Sequence, residues 1–237
     1  MKYLSAALAA GVSVLAGGVS AAEDRKLYVT AKYGLDLQSD EAIRGANVAG
    51  APRNIDIEFD NGRYASAAIG YIAADGAMGR LRFEVEAAYH ESDVEQLSLN
   101  DVERAFRAGS NVSATTGMIN AYYDTPLIAD RFRIFGGGGF GIGSIDHEVR
   151  YLVERPEEAG GNLAIAIPST ETTFSYQFGG GLEAVITPRI SLVGDVRYVG
   201  FGDTQVERFV LTTGAIDSVL DADKSSVVAS GGVRFTF

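Results

Sequence analysis

From Leu27 to Phe237 the chain keeps returning to one pattern, apolar and polar side chains in strict alternation. A period of two puts the two sets on opposite faces of a strand. Eight such stretches stand out. The cleanest sets Leu81, Phe83, Val85, Ala87 and Tyr89 against Arg82, Glu84, Glu86 and His90. Two precede it: 27–36, with Tyr28, Thr30, Lys32 and Asp36 on its polar face, and 63–72, with Ala65, Ala67, Ile69 and Tyr71 on its apolar face. The fourth, 112–124, alternates Ile119, Ala121 and Tyr123 with Asn120, Tyr122 and Asp124. The fifth sets Phe132, Ile134, Phe140 and Ile142 against Arg131, Arg133 and Phe135. The sixth sets Phe174, Tyr176, Phe178, Leu182 and Ala184 against Ser175, Gln177 and Glu183, and the seventh Ile190, Leu192, Val196 and Tyr198 against Ser191, Asp195 and Arg197. In the last, 225–237, Val233, Phe235 and Phe237 alternate with Gly232, Arg234 and Thr236.

Each stretch has about the 9–11 residues that a tilted membrane strand needs. The connections alternate in length. Short ones fall around Asp75-Gly76, Thr125-Pro126 and Thr187-Pro188, and long ones span 37–62, 91–111, 146–170 and 201–224. Within the third long one, His147, Val149, Tyr151 and Val153 alternate with Glu148, Arg150, Leu152 and Glu154, and Leu163, Ile165 and Ile167 lie across the gap, so the fifth and sixth stretches are expected to continue as a hairpin joined near Ala159-Gly160-Gly161. Short turns on one rim and long loops on the other are the pattern of a transmembrane barrel; a soluble sandwich has no reason for it. The expected fold is all-β: an eight-stranded antiparallel transmembrane β-barrel with up-and-down meander topology. The apolar set would face lipid, with Phe235 and Phe237 in an aromatic girdle.

Residues 1–22 read as a signal peptide. Lys2 supplies the positive start, Leu4 to Leu15 the apolar stretch and Ser20-Ala21-Ala22 a small-residue cleavage site. Residues 23–237 are then the barrel domain. No later apolar run reaches the length of a membrane helix. There is no cysteine, so backbone ladders and packing hold the fold without disulfides.

Net charge sharpens the picture. The formal charge is −11, and −12 once Lys2 leaves with the leader. Each of the four long loops carries five acidic and two basic residues, so the loops account for all of it and the barrel is neutral. An acidic rim argues against nucleic acid as a partner, since it would repel the phosphates.

An eight-stranded barrel is just wide enough to be filled by its own side chains. The inward set holds Lys32, Arg82, Glu84, Glu86, His90, Arg133, Glu183, Asp195, Arg197 and Arg234, both signs in similar numbers. Unpaired charges in so narrow a space would cost several kcal/mol. Two readings stay open: an ion-pair network that plugs the lumen, or a narrow gated ion path. The inward glycines Gly137, Gly139, Gly141, Gly179, Gly181 and Gly232 leave room either for long arginines or for water.

Candidate chemistry changes little. Gly136, Gly138 and Gly141 have dinucleotide-loop spacing, but they lie inside a strand pattern with no helix after them. Glu84 and Glu86, about 7 Å apart by strand rise, have Arg82 beside them and suit an ion ladder better than glycoside hydrolysis. His90, Glu91 and Ser92 are the local set closest to nucleophilic catalysis, but His90 is placed inward at the loop end of its strand. His147 lies between Asp146 and Glu148 in a long loop. With two histidines in all, a closed transition-metal site is not expected; loop carboxylates suit weak Ca²⁺ or Mg²⁺ binding. Neither a cofactor nor an enzymatic activity is expected.

The segments MINAYYD (118–124), RFRIFGGGGFGIG (131–143), YQFGGGLEA (176–184) and the Phe-terminated last strand resemble small Gram-negative outer-membrane β-barrel proteins of the OmpA-transmembrane, opacity-like type. The resemblance covers 23–237. It implies an integral outer-membrane protein of structural or surface-interaction role. Loops would meet lipopolysaccharide, host or phage ligands, and the aromatic end, Phe235 and Phe237, would be read by the barrel assembly machinery. It also implies a monomer. Unlike OmpA itself, the protein is expected to end at the barrel, without a peptidoglycan-binding domain. A small porin-like channel is the alternative, and a lipid-modifying enzyme a more distant one.

Overall fold

The computed structural model describes residues 26–47, 49–105, 110–153, 163–211 and 215–237; the expected leader lies outside them. Thirteen antiparallel strands follow one another: β1 (Leu27–Gln38), β2 (Glu41–Asn47), β3 (Pro52–Phe59), β4 (Gly62–Gly76), β5 (Gly79–Leu99), β6 (Val102–Glu103), β7 (Asn111–Asp124), β8 (Phe132–Val153), β9 (Leu163–Val185), β10 (Ile190–Phe201), β11 (Thr204–Val210), β12 (Ala215–Ala222) and β13 (Ser225–Thr236).

Eight of these carry the alternating stretches, and their pairings return on themselves. In chain order β1, β4, β5, β7, β8, β9 and β10 pair each with the next, β10 pairs with β13, and β13 pairs with β1. Such a ring has no free edge, and every interior backbone group finds a partner in the ladder. The side chains follow the sequence pattern. Along β5, Leu81, Phe83 and Val85 are exposed, and Arg82, Glu84, Glu86 and His90 are buried.

The expectation of eight strands needs correction: among the described residues there are thirteen. The other five, β2, β3, β6, β11 and β12, lie in what the sequence presented as long loops. β5 also runs on well past its expected end, to 21 residues, and β8 and β9 continue as the expected hairpin, to 22 and 23 residues. These pieces build a second ring continuous with the first. The far end of β5 pairs with β3, β3 with β2, β2 with β12, β12 with β11, and β11 with the start of β9. β9 pairs with the far end of β8. The Leu152 amide then donates to Ala105 O at 2.9 Å, and β6 returns the ladder to β5.

The extension has its own apolar interior. Ile43, Ile55, Ile57, Leu97, Ile145, Ile165, Ile167 and Val206 are fully buried in one cluster with Val149 and Tyr151. They form strand because β-branched side chains fit a pleated surface packed on one side. On β8 the phase of the alternation never changes. Phe140 and Ile142 point outward, and so do Asp146, Glu148 and Arg150; Ile145, Val149 and Tyr151 point inward. What changes above Gly143 is which face is apolar. The tip of this hairpin, expected near Ala159-Gly160-Gly161, lies outside the described residues.

Candidate functional site

The lumen of the eight-strand ring fills in tiers. The first lies nearest the short turns. Arg82 Nε donates to Asp124 Oδ1 at 2.9 Å, and Arg80 Nε to Asp124 Oδ2 at 2.5 Å. Arg80 also pairs with Glu183, and Arg82 with Glu84. Arg234 bridges Glu183 Oε2 at 3.0 Å and Glu84 Oε1 at 3.5 Å. The Tyr28 hydroxyl donates to Glu84 Oε1 at 2.8 Å. The Arg82 guanidinium lies 4.3 Å from the Tyr122 ring centroid and 4.9 Å from that of Phe135. Three arginines thus meet three carboxylates, and aromatic faces take up the rest of their surface.

The second tier has two cations and two anions. Lys32 Nζ stands 3.2 Å from Glu86 Oε2 and 3.3 Å from Asp195 Oδ2. Arg197 Nη1 donates to both Glu86 oxygens, at 2.9 and 3.1 Å, and its other arm reaches Asp195. Gln177 Nε2 donates to Glu86 Oε1 at 3.0 Å and Asn120 Oδ1 at 2.7 Å. Glycines make the space. A Cβ on Gly179 would lie 2.7 Å from Arg197 Cβ, and one on Gly232 2.7 Å from Lys32 Cγ. Each tier is electrically neutral by itself, so neither exposes the lumen to an uncompensated buried charge.

Of the ten inward residues named from sequence, eight sit in these tiers; His90 lies above them, beside Asp36. Arg133 is half-buried at the short-turn rim, 3.7 Å from the exposed Asp75. The tiers also contain residues that the sequence left out of the network. Both share the inward parity of their strands: Asp124 closes the polar face of the fourth stretch, and Arg80 lies two residues before Arg82 on that of the third.

Above the tiers lies a third cluster. His90 Nδ1 stands 2.7 Å from Asp36 Oδ2, and His147 Nε2 3.0 Å from Glu41 Oε1. His147 is therefore not a loop residue; it is buried within β8. Lys224, at the junction of β12 and β13, is 4 % exposed, with its ammonium 5.8 Å from the Phe59 ring. Burial pushes that ammonium down to about 8, against the opposing pull of Glu41 and Asp36. Ser92, the neighbour of His90, is buried with its hydroxyl unpartnered among the described residues. It makes no contact with the His90 ring that would activate a nucleophile. Phe235 and Phe237 lie edge to face, centroids 5.3 Å apart, on the outward face of β13 and just beyond it.

The sequence matches, over residues 4–235, the family described as outer membrane protein beta-barrel domain. No curated protein matches it. Among solved structures, it is similar to the outer membrane protein OprG of Pseudomonas aeruginosa, at 12% identity and a TM-score of 0.58, covering 90% of this chain and 96% of that one. It is similar to the outer membrane protease OmpT of Escherichia coli, at 10% identity and a TM-score of 0.54, covering 93% and 99%. Neisserial surface protein A gives 18% identity and a TM-score of 0.51, covering 89% and 97%. At these identities the likeness is one of fold. An outward apolar band on closed ladders, and a family match over nearly the whole chain, make this protein a member of the outer membrane protein beta-barrel domain family, integral to the outer membrane.

Proposed function

We propose that this protein is a closed eight-stranded membrane barrel that presents a folded extension at the cell surface for contact with other molecules. The observation that carries the reading is the filling of the interior. Two neutral ion-pair tiers give way to a polar cluster and then to an apolar core, with buried side chains throughout. A continuous water path would need an unfilled lumen. The same filling makes the lumen residues Lys32, Arg82, Glu84, Glu86, Glu183, Asp195, Arg197 and Arg234 a structural network, with Arg133 closing its short-turn rim.

The extension is the part free to meet a partner. Its outward rows carry Glu91 and Asp93 on β5 and Asp146 and Glu148 on β8, the two strands that flank β7. That sign disfavours nucleic acid and suits host and phage ligands with basic patches; lipopolysaccharide, itself anionic, would be met through bridging divalent cations. We assign Phe235 and Phe237 to recognition by the barrel assembly machinery, residues 1–22 to a removed signal peptide, and the mature protein to a monomer. No enzymatic activity is proposed: His90 is buried and packed edge-on against Tyr64, 5.0 Å between centroids, and the Ser92 hydroxyl beside it has no hydrogen-bond partner among the described residues.

Planar bilayers test the reading. Purified protein should insert without conductance steps. Stable ohmic steps, abolished by refilling the lumen but not by changes in the extension, would establish the channel reading instead.

A further inference from the structure

Each of the four hairpins of the extension begins or ends beside the third cluster. The β2–β3 hairpin contributes Glu41, with Asp36 just before it on β1. The hairpin of β5 and β6 is approached through His90, that of β8 and β9 through His147, and that of β11 and β12 leaves through Lys224. Asp36 reaches across β4 to His90, and Glu41 reaches across from β2 to His147 on β8. Lys224 faces Asp36 and Glu41 together. All five side chains are buried.

Their pairing is incomplete. Asp36 Oδ1, Glu41 Oε2 and His147 Nδ1 are buried without a protein hydrogen-bond partner among the described residues. No carboxylate among them lies within ion-pair distance of the Lys224 ammonium. Contrast the tiers below, where five cations and five anions are matched by direct bridges. A matched ladder is built to stay shut; a buried lysine held off from two half-satisfied carboxylates is poised to respond to protons.

We propose that Asp36, Glu41, His90, His147 and Lys224 form a buried clasp that fastens the four hairpins to the barrel mouth and loosens them together, with Lys224 as the group that responds to protons. When the hairpins part, water reaches Lys224 and its affinity for a proton returns toward the ordinary value of 10.5, from about 8 in the closed state. The opened state therefore binds more protons between those values, and the closed state gains stability as pH rises through that window. Below pH 8 the buried charge weighs against closure in full. The groups facing Lys224 are the carboxylates of β1 and β2, and behind them the two imidazoles of β5 and β8. The inference does not depend on which partner the extension meets.

The absence of native cysteine offers a direct readout. Single thiols placed by Ile55→Cys, Val94→Cys, Val149→Cys or Val206→Cys put one buried reporter in each hairpin. Met78→Cys, 85 % exposed in the turn between β4 and β5, is the reference. Maleimide labelling of the detergent-folded protein, relative to that reference, should slow at least about tenfold from pH 7.5 to 9.5 in all four hairpins. With Lys224→Met added, the ratio should be the same at both values. Glu41→Gln removes a group that supports the charged lysine, so the midpoint of tightening should move to lower pH. This second variant, checked for folding by heat-modifiable gel migration, reads the clasp even if Lys224→Met does not fold. A wild-type ratio independent of pH, a change confined to one hairpin, or a midpoint that Glu41→Gln leaves in place or raises would overturn the proposal.

Discussion

The membrane ring and the extension share strands but have opposite sidedness. On β8, outward Phe140 and Ile142 give way to outward Asp146 and Glu148, and the inward glycines give way to Ile145, Val149 and Tyr151. The backbone geometry and the in–out phase are unchanged. What differs is the outside medium. In lipid an outward side chain must be apolar and the interior can hold charge, provided it is matched. In water the apolar side chains go inward and the wall becomes polar. One long hairpin is thus two proteins by composition, joined at Gly143 and Ser144.

The comparison can be broken first at its charged interior. Arg82→Ala leaves Asp124 and Glu84 short of a partner in the first tier, and should destabilise by about 3–5 kcal/mol. Arg44→Ala in the extension breaks an exposed pair with Asp56 and should cost about 0–1 kcal/mol, less at high salt. Denaturant titration of the folded fraction in lipid vesicles measures both, and equal losses would deny that the two regions hold charge differently.

Outward positions are the next test. Phe83→Arg puts a cation into the lipid face at a cost of about 2–4 kcal/mol near the midplane. Glu148→Arg occupies the corresponding face of the extension, and its effect should stay within about 0.5 kcal/mol. If Phe83→Arg inserted normally while Glu84→Arg did not, the register of β5 would be off by one residue and every side-chain direction on it reversed.

The smallest effect concerns a single methyl. Ile165→Val trims a fully buried side chain of the extension core and should cost about 0.5–1.5 kcal/mol. Ile142→Val trims a side chain that fluid lipid surrounds, where no cavity persists, and should be near the limit of measurement. Comparable losses would mean that the apolar band near Ile142 is covered by something better packed than lipid.

Much of this arrangement is legible without coordinates. Alternation marks the eight ring strands and the direction of nearly every side chain on them, because one face of each strand is committed to a single medium. Val149, Tyr151, Ile165 and Ile167 likewise announce that the fifth and sixth stretches continue as a hairpin. The five short strands are harder to see. In 41–47 and 204–210 the apolar residues are few and the turns near them are polar and Gly-containing, so local pattern reads as loop. A bulge at Glu95 also shifts the phase of β5 between Val94 and Leu97.

Alternation along each strand settles which side chains face lipid and which face inward, and that the inward charges are of both signs. Those are properties of single strands, readable two residues at a time. Tertiary structure decided which charge meets which, since Arg80 and Glu183 are 103 residues apart and only ring closure brings them together. It also left Arg133 at the rim and drew His147 from an apparent loop to Glu41, 106 residues away. Above all it made four separate hairpins into one apolar-cored extension. No one hairpin can bury its semi-apolar face alone, and pairing β2 with β12 and β11 with β9 supplies the missing walls.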